Sequence, residues 1–159
     1  MDLKKRWEET FENSVKKSMD EIRCRYTNTL GLEVEELPYE FTGEESEWMG
    51  AYLRRKNLLK DGKIVFALNR EKIYGKMKSL LLHLDMKNTA MQARILVFHE
   101  VGHGLLDHLK SAGIQLQGDD EKIVTEFGRH SCPRDTMEFE SVLEKALDEL
   151  IEMKSTENN

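Results

Sequence analysis

The segment His99-Glu100-Val101-Gly102-His103 contains the residue types of a metal-dependent hydrolytic site. It continues an apolar, helix-like run that begins near Met91. Residues four apart on a helix project from the same face, so the two imidazoles can reach one metal ion while Glu100 is turned about 100° to the side. Such a pair binds zinc and leaves a carboxylate free to accept a proton from the activated water. The alternative interpretation is that both histidines lie on a solvated helix face.

A catalytic zinc takes three protein ligands and an open position for water, so another segment must supply the third ligand. One class of enzyme uses a histidine in the pattern His-Glu-x-x-His-x-x-Gly-x-x-His. This chain has Leu106 and Leu109 at the last two of those positions. His108 lies about 140° of helix rotation away from the face of His103. The sequence therefore excludes that class.

The next helical segment offers two carboxylates as the third ligand. Glu126 is in mid-helix and is flanked by apolar residues that would anchor the helix to the core. A charged residue in that position needs a partner, and a divalent cation would be one. Glu121 is the alternative, but it lies in the first turn, where stabilisation by the helix dipole already accounts for a carboxylate. We therefore predict Glu126 as the third ligand and keep Glu121 as the alternative.

Other side chains could assist at such a site. His130 is four residues past Glu126 on the same helix face and could donate a hydrogen bond to an oxyanion, although a histidine at a helix end is also favoured by the dipole. Asp107, four residues past His103, could orient a ligand histidine or make a surface pair. Tyr52 and Tyr74 are further candidate donors to an oxyanion, without a spacing argument for either.

The elements that must position these residues indicate an α+β fold in one domain, residues 1–159. We expect a small twisted β-sheet packed on the motif-bearing helix, within a core of about residues 30–134. The continuously apolar run Ile64 to Leu68 is typical of a strand covered on both faces, and its edge could hold an extended peptide. We expect strands over 33–41, 50–54 and 63–68, central helices over about 70–83, 88–110 and 121–130, and long flanking helices over about 2–27 and 136–154.

Composition narrows the class of partner. The net charge is −6, and an acidic balance without a clustered basic surface argues against nucleic-acid binding. No apolar stretch is long enough to span a membrane, and the N-terminus lacks the apolar centre of a signal peptide. We therefore expect a cytoplasmic location, where Cys24 and Cys132 would stay reduced.

The motif from His99 to Leu106, together with Glu126-Phe127-Gly128-Arg129, resembles the gluzincin metallopeptidases, and in particular the minimal and ImmA/IrrE-type members. The resemblance covers about residues 50 to 130. It implies a zincin-like fold and a zinc (Zn2+) endopeptidase acting on a peptide or protein, with His99, His103 and Glu126 as ligands and Glu100 as the general base. The alternative function is a zinc-binding regulatory protein with latent or absent peptidase activity. The sequence does not determine the oligomeric state.

Overall fold

The computed structural model describes residues 2–53, 62–79, 85–132 and 140–157. These residues form an α+β structure that is largely helical, with a three-stranded mixed sheet. The strands are β1 (Glu33–Glu36), β2 (Gly50–Tyr52) and β3 (Lys63–Leu68). The α-helices are α1 (Leu3–Ile22), α2 (Asn28–Leu30), α3 (Arg70–Ser79), α4 (Met86–Ser111), α5 (Asp120–His130) and α6 (Val142–Glu157).

The sheet has the order β1-β3-β2. β1 pairs in parallel with β3, and β2 pairs with it in antiparallel orientation. Residues Ile64 to Leu68 of the central strand are all buried, which confirms a strand covered on both faces. The expectation that this strand offers a free edge was wrong, because β3 has a partner on each side. The edge strand that contacts α4 is instead β2.

The motif-bearing helix, α4, begins at Met86, slightly before the predicted start at about 88. The carboxylate of Asp85 accepts a hydrogen bond from the backbone N–H of Asn88 at 2.7 Å and so caps the helix. α4 then runs without interruption to Ser111, and it packs between the sheet and α5. The motif residues therefore lie in the middle of a long, well-anchored helix.

Two glycines of the motif region let α4 approach its neighbours. A Cβ added at Gly104 would lie 2.5 Å from a side-chain carbon of Ile64 in β3. A Cβ at Gly102 would lie 3.0 Å from the ring of Phe127 in α5. Interiors are close-packed, so these spaces are filled by the neighbouring side chains. The spacing of α4 from both the sheet and α5 thus depends on positions without a side chain.

The long N-terminal helix is confirmed as α1, followed by a π-helical turn at Arg23–Thr27 and by α2. Its apolar stripe packs against α4 and the rest of the core. Arg94 of α4 pairs with Glu21 of α1, and its Nε donates to the carbonyl of Ser131 at 2.6 Å. One guanidinium therefore connects α1, α4 and the end of α5. The buried stripe of α1 consists of Trp7, Phe11, Val15, Met19 and Ile22.

Two expectations concern residues outside those described: the continuation of α3 beyond Ser79 and the start of the last helix near 136. The last helix is present over the described part, from Val142 to Glu157. Within the described ranges, none of the helices is both long and apolar enough to cross a bilayer.

We expect Gly104→Ala to lower the free energy of unfolding by about 1–3 kcal/mol, because the added methyl overpacks the contact with Ile64. The gain in helix propensity, up to about 1 kcal/mol, offsets only part of this. Gly75→Ala in α3 is the matched control, since a Cβ there has no atom within 4 Å. Urea titration should show Gly75→Ala to be neutral or stabilising. Equal stability of the two variants would contradict the packing assigned to α4.

Candidate metal site

α4 brings the motif side chains together as the helical spacing predicts. The ring centroids of His99 and His103 are 5.3 Å apart. One potential ligand atom from each of His99, Glu100 and His103 lies within 4.8 Å of the other two. The two imidazoles thus face a common point, with the Glu100 carboxylate beside it.

A second carboxylate reaches this point from α5. The Oε1 atom of Glu121 is 2.9 Å from Nε2 of His99, and its Oε2 atom is 3.3 Å from Nε2 of His103. Asp119 caps α5, so Glu121 lies in the first turn of the helix. Both histidines therefore direct Nε2 at one carboxylate, which can complete a set of two nitrogen ligands and one oxygen ligand.

The structure brings Glu121, and not Glu126, to the histidines. Five residues of helix separate the two glutamates, which turns Glu126 about 140° away from the face that Glu121 presents to α4. Among the described residues, the carboxylates within ion-pair distance of His99 or His103 belong to Glu100 and Glu121. The helix-dipole argument against Glu121 was misleading, because a first-turn carboxylate can serve the dipole and the site together.

His130 is also outside the cluster. It lies nine residues after Glu121, which is about 13 Å along α5 and on the opposite side of the helix. Its Nδ1 atom is buried without a hydrogen-bond partner in the part of the chain that is described. Glu126 and His130 do share one face of α5, as their spacing predicts. That face is turned away from His99 and His103.

One signal in the sequence could have identified the correct face of α5. Gly128 is seven residues after Glu121, so the two lie on nearly the same side of the helix. A Cβ at Gly128 would be 2.8 Å from the carbonyl oxygen of Ile95 and 3.4 Å from Cβ of His99. The face with the small residue is therefore the one that approaches the motif helix.

Burial sets the electrostatics of the cluster. Glu100 is only 7% exposed, and burial together with the nearby Glu121 carboxylate raises its pKa to about 8. Burial also lowers the pKa of His99, which favours the neutral imidazole that binds metals. Gly50 of β2 covers Glu100, since a Cβ there would be 3.2 Å from Cγ of Glu100. The backbone of the edge strand thus forms one wall of the site.

Tyr52 packs against His103. Its ring stacks on His103 with centroids 6.0 Å apart and planes 7° from parallel. Its hydroxyl donates to Oδ2 of Asp107 at 3.1 Å, which fixes the ring beside α4. Tyr52 and Asp107 therefore hold His103 in place. Tyr74 contacts Trp7 instead, with ring centroids 5.1 Å apart.

Two clefts flank the cluster. One, of about 500 Å³, lies between α4 and α5 on the side of His99, and the other, of about 400 Å³, lies beside β2 on the side of His103. Gly50, Glu100 and Glu121 line both of them. The carboxylates of Glu100 and Glu121 therefore lie where the two clefts meet, in one groove.

The donor set suits a divalent cation of the zinc type, because two imidazoles and one carboxylate are a common three-ligand set for catalytic zinc. Comparisons with known protein families, with curated proteins and with solved structures found no match to this chain. The identity of the metal and the membership in a peptidase class thus stay predictions from the residues themselves.

We expect Glu121→Gln to weaken zinc binding by at least about 100-fold, because loss of a ligand exceeds the usual cost of losing an outer-shell partner. Glu126→Gln is the matched control on the same helix and should bind zinc as the parent protein does. Isothermal titration of the chelator-treated proteins with zinc measures both affinities. A loss of binding in Glu126→Gln with full affinity in Glu121→Gln would restore the sequence-based assignment.

The raised pKa of Glu100 predicts a pH-dependent stability in the presence of a chelator. Between the ordinary pKa of 4.5 and about 8, the unfolded chain releases the proton while the folded chain retains it, so rising pH lowers the free energy of unfolding. The variant Glu100→Gln has no proton to lose. Its advantage in Tm over the parent should therefore grow from pH 5 to pH 8. A constant difference across that range would contradict the burial of an ionisable carboxyl.

Proposed function

We propose that this protein is a zinc-dependent peptide hydrolase with a zincin-like site. The observation that carries the proposal is the convergence of His99 and His103 on the Glu121 carboxylate, with the buried Glu100 carboxylate beside them. A glutamate from the helix after the motif helix is the arrangement that the resemblance to gluzincins implies. The proposal differs from that resemblance as first stated only in taking Glu121 in place of Glu126.

His99, His103 and Glu121 would hold the metal. Zinc held there would act as a Lewis acid, which lowers the pKa of a bound water and polarises a carbonyl. Glu100 would accept a proton from the water and donate it to the leaving amine. Its burial suits this role, since a base with a pKa near neutrality can both take and return a proton. Tyr52 and Asp107 contribute by fixing the ring of His103.

The surroundings of the cluster fit an extended peptide as substrate. The groove continues on both sides of Glu100, which suits a chain that enters and leaves the site, as in an endopeptidase. On either side of β2, the carbonyl of Met49 accepts a hydrogen bond from the N–H of Asn69, and the N–H of Leu53 donates to the carbonyl of Val65 in β3. Because bonding direction alternates along a strand, the backbone groups of Gly50 and Tyr52 point to the open edge. They could pair with the main chain of a peptide.

The regulatory alternative receives no specific support from the geometry. It was motivated by the idea that the long flanking helices cover the site. Among the described residues, the lining of both clefts comes from Trp48, Met49, β2, α4 and α5, and α1 and α6 contribute none of it. We therefore keep the hydrolase as the single proposed function, with the cytoplasm as its expected location.

We expect Glu100→Gln to reduce peptide cleavage by about 100-fold or more while zinc stays bound, because only the proton acceptor is lost. The assay uses zinc-loaded protein and an internally quenched peptide library, with elemental analysis as the control for metal content. Full activity in this variant would eliminate Glu100 as the base. A parent protein that binds one zinc and cleaves no library member would instead favour the regulatory alternative.

A further inference from the structure

The larger cleft extends beyond the cluster of His99, Glu100 and His103, along the groove between α4 and α5. From α5 it is lined by Glu121, Thr125 and Arg129, which follow one another at intervals of four residues. Residues with this spacing form a stripe along one side of a helix. Glu121 therefore lies at the end of this stripe beside the cluster, and Arg129 lies at its other end.

Arg129 is the one permanent cation in the lining of this cleft, within the part of the chain that is described. Its side chain is exposed, and it makes no ion pair with any described residue. Other arginines of the fold, such as Arg25, Arg70 and Arg94, are each paired with a carboxylate. Arg129 thus differs from them in lining the cleft without a carboxylate partner among the described residues.

We propose that Arg129 is a specificity-determining residue that binds a carboxylate of the peptide substrate at a distance from the cleaved bond. This inference rests on the proposed function and adds the chemical class of the substrate. A guanidinium presents two parallel N–H donors that match a carboxylate, and such charge-assisted bonds are roughly twice as strong as those between neutral groups. The carboxylate can belong to an acidic side chain or to the C-terminus of the peptide.

The spacing along α5 predicts where the carboxylate lies. Eight residues separate Arg129 from Glu121, which corresponds to about 12 Å along the helix axis. An extended peptide advances about 3.3 Å per residue, so this distance spans three or four residues. A carboxylate next to the cleaved bond would instead face the acidic side chains of Glu100 and Glu121, which offer it no cation.

The test uses anchored probes rather than an unknown substrate. Each probe is a peptide hydroxamate, in which the hydroxamate binds the metal, followed by one to four alanines and a glutamate. A second series has glutamine in place of glutamate, and both are made with the hydroxamate at either end. In both series the terminus far from the hydroxamate is blocked. A third, all-alanine series has a free C-terminal carboxylate, and it shows whether Arg129 binds a terminal carboxylate or an acidic side chain. Isothermal titration with the zinc-loaded protein measures affinity without requiring cleavage.

We expect one spacer length in the range of two to four residues to favour the carboxylate over its neutral counterpart by about three- to fivefold, as for an ion pair at an exposed arginine. Arg129→Gln should abolish that preference, and Arg129→Glu should reverse it. Lys122→Gln removes an exposed cation of the same helix that does not line the cleft, and it should leave the preference unchanged.

The outcomes separate this inference from the proposed function. Zinc-dependent binding of every hydroxamate with no preference for a carboxylate would overturn the role of Arg129 and leave the hydrolase site standing. A preference that persists in Arg129→Gln, or that disappears in Lys122→Gln, would likewise overturn it. Hydroxamates that do not bind the zinc-loaded protein would contradict both the proposed function and the subsite that depends on it.

Discussion

The close packing of α4 between the sheet and α5 is the constraint on which the site depends. Gly104 lets the helix lie against β3, and Gly102 and Gly128 let α5 approach it from the other side. A helix exposed on that side would carry the same two histidines without a carboxylate opposite them. The glycines within and beside the motif are therefore as important to the site as the side chains that would bind the metal.

That packing also explains the chemical character of the cluster. Two carboxylates, Glu100 and Glu121, lie beside two imidazoles in a partly dehydrated groove. Placing like charges together under burial raises the free energy of the ionised pair, as the raised pKa of Glu100 reflects. A divalent cation between the carboxylate and imidazole ligands would relieve this cost. The fold thus holds an arrangement whose charges a bound metal would balance.

Local sequence signals were sufficient for much of this structure. The helix periodicity of α1, the apolar run of β3 and the i, i+4 spacing of the histidines depend on nearby residues, and the structure confirms them. The sequence favoured Glu126, whereas the structure places Glu121 beside the histidines, because that placement depends on how α5 rotates against α4, which is a long-range property. The central position of β3 escaped prediction for the same reason, since the order of strands in a sheet is not encoded in any one strand.

X-ray absorption at the zinc edge, on the full chain loaded with one equivalent of zinc, tests the central claim most directly. The account predicts scattering from two imidazoles and one carboxylate oxygen, with nitrogen and oxygen shells at about 2.0–2.1 Å and no sulfur. In the variant Glu121→Ala, the two imidazoles should remain while the first shell changes. A hydrated ion without imidazole scattering, or a sulfur ligand near 2.3 Å, would contradict the account.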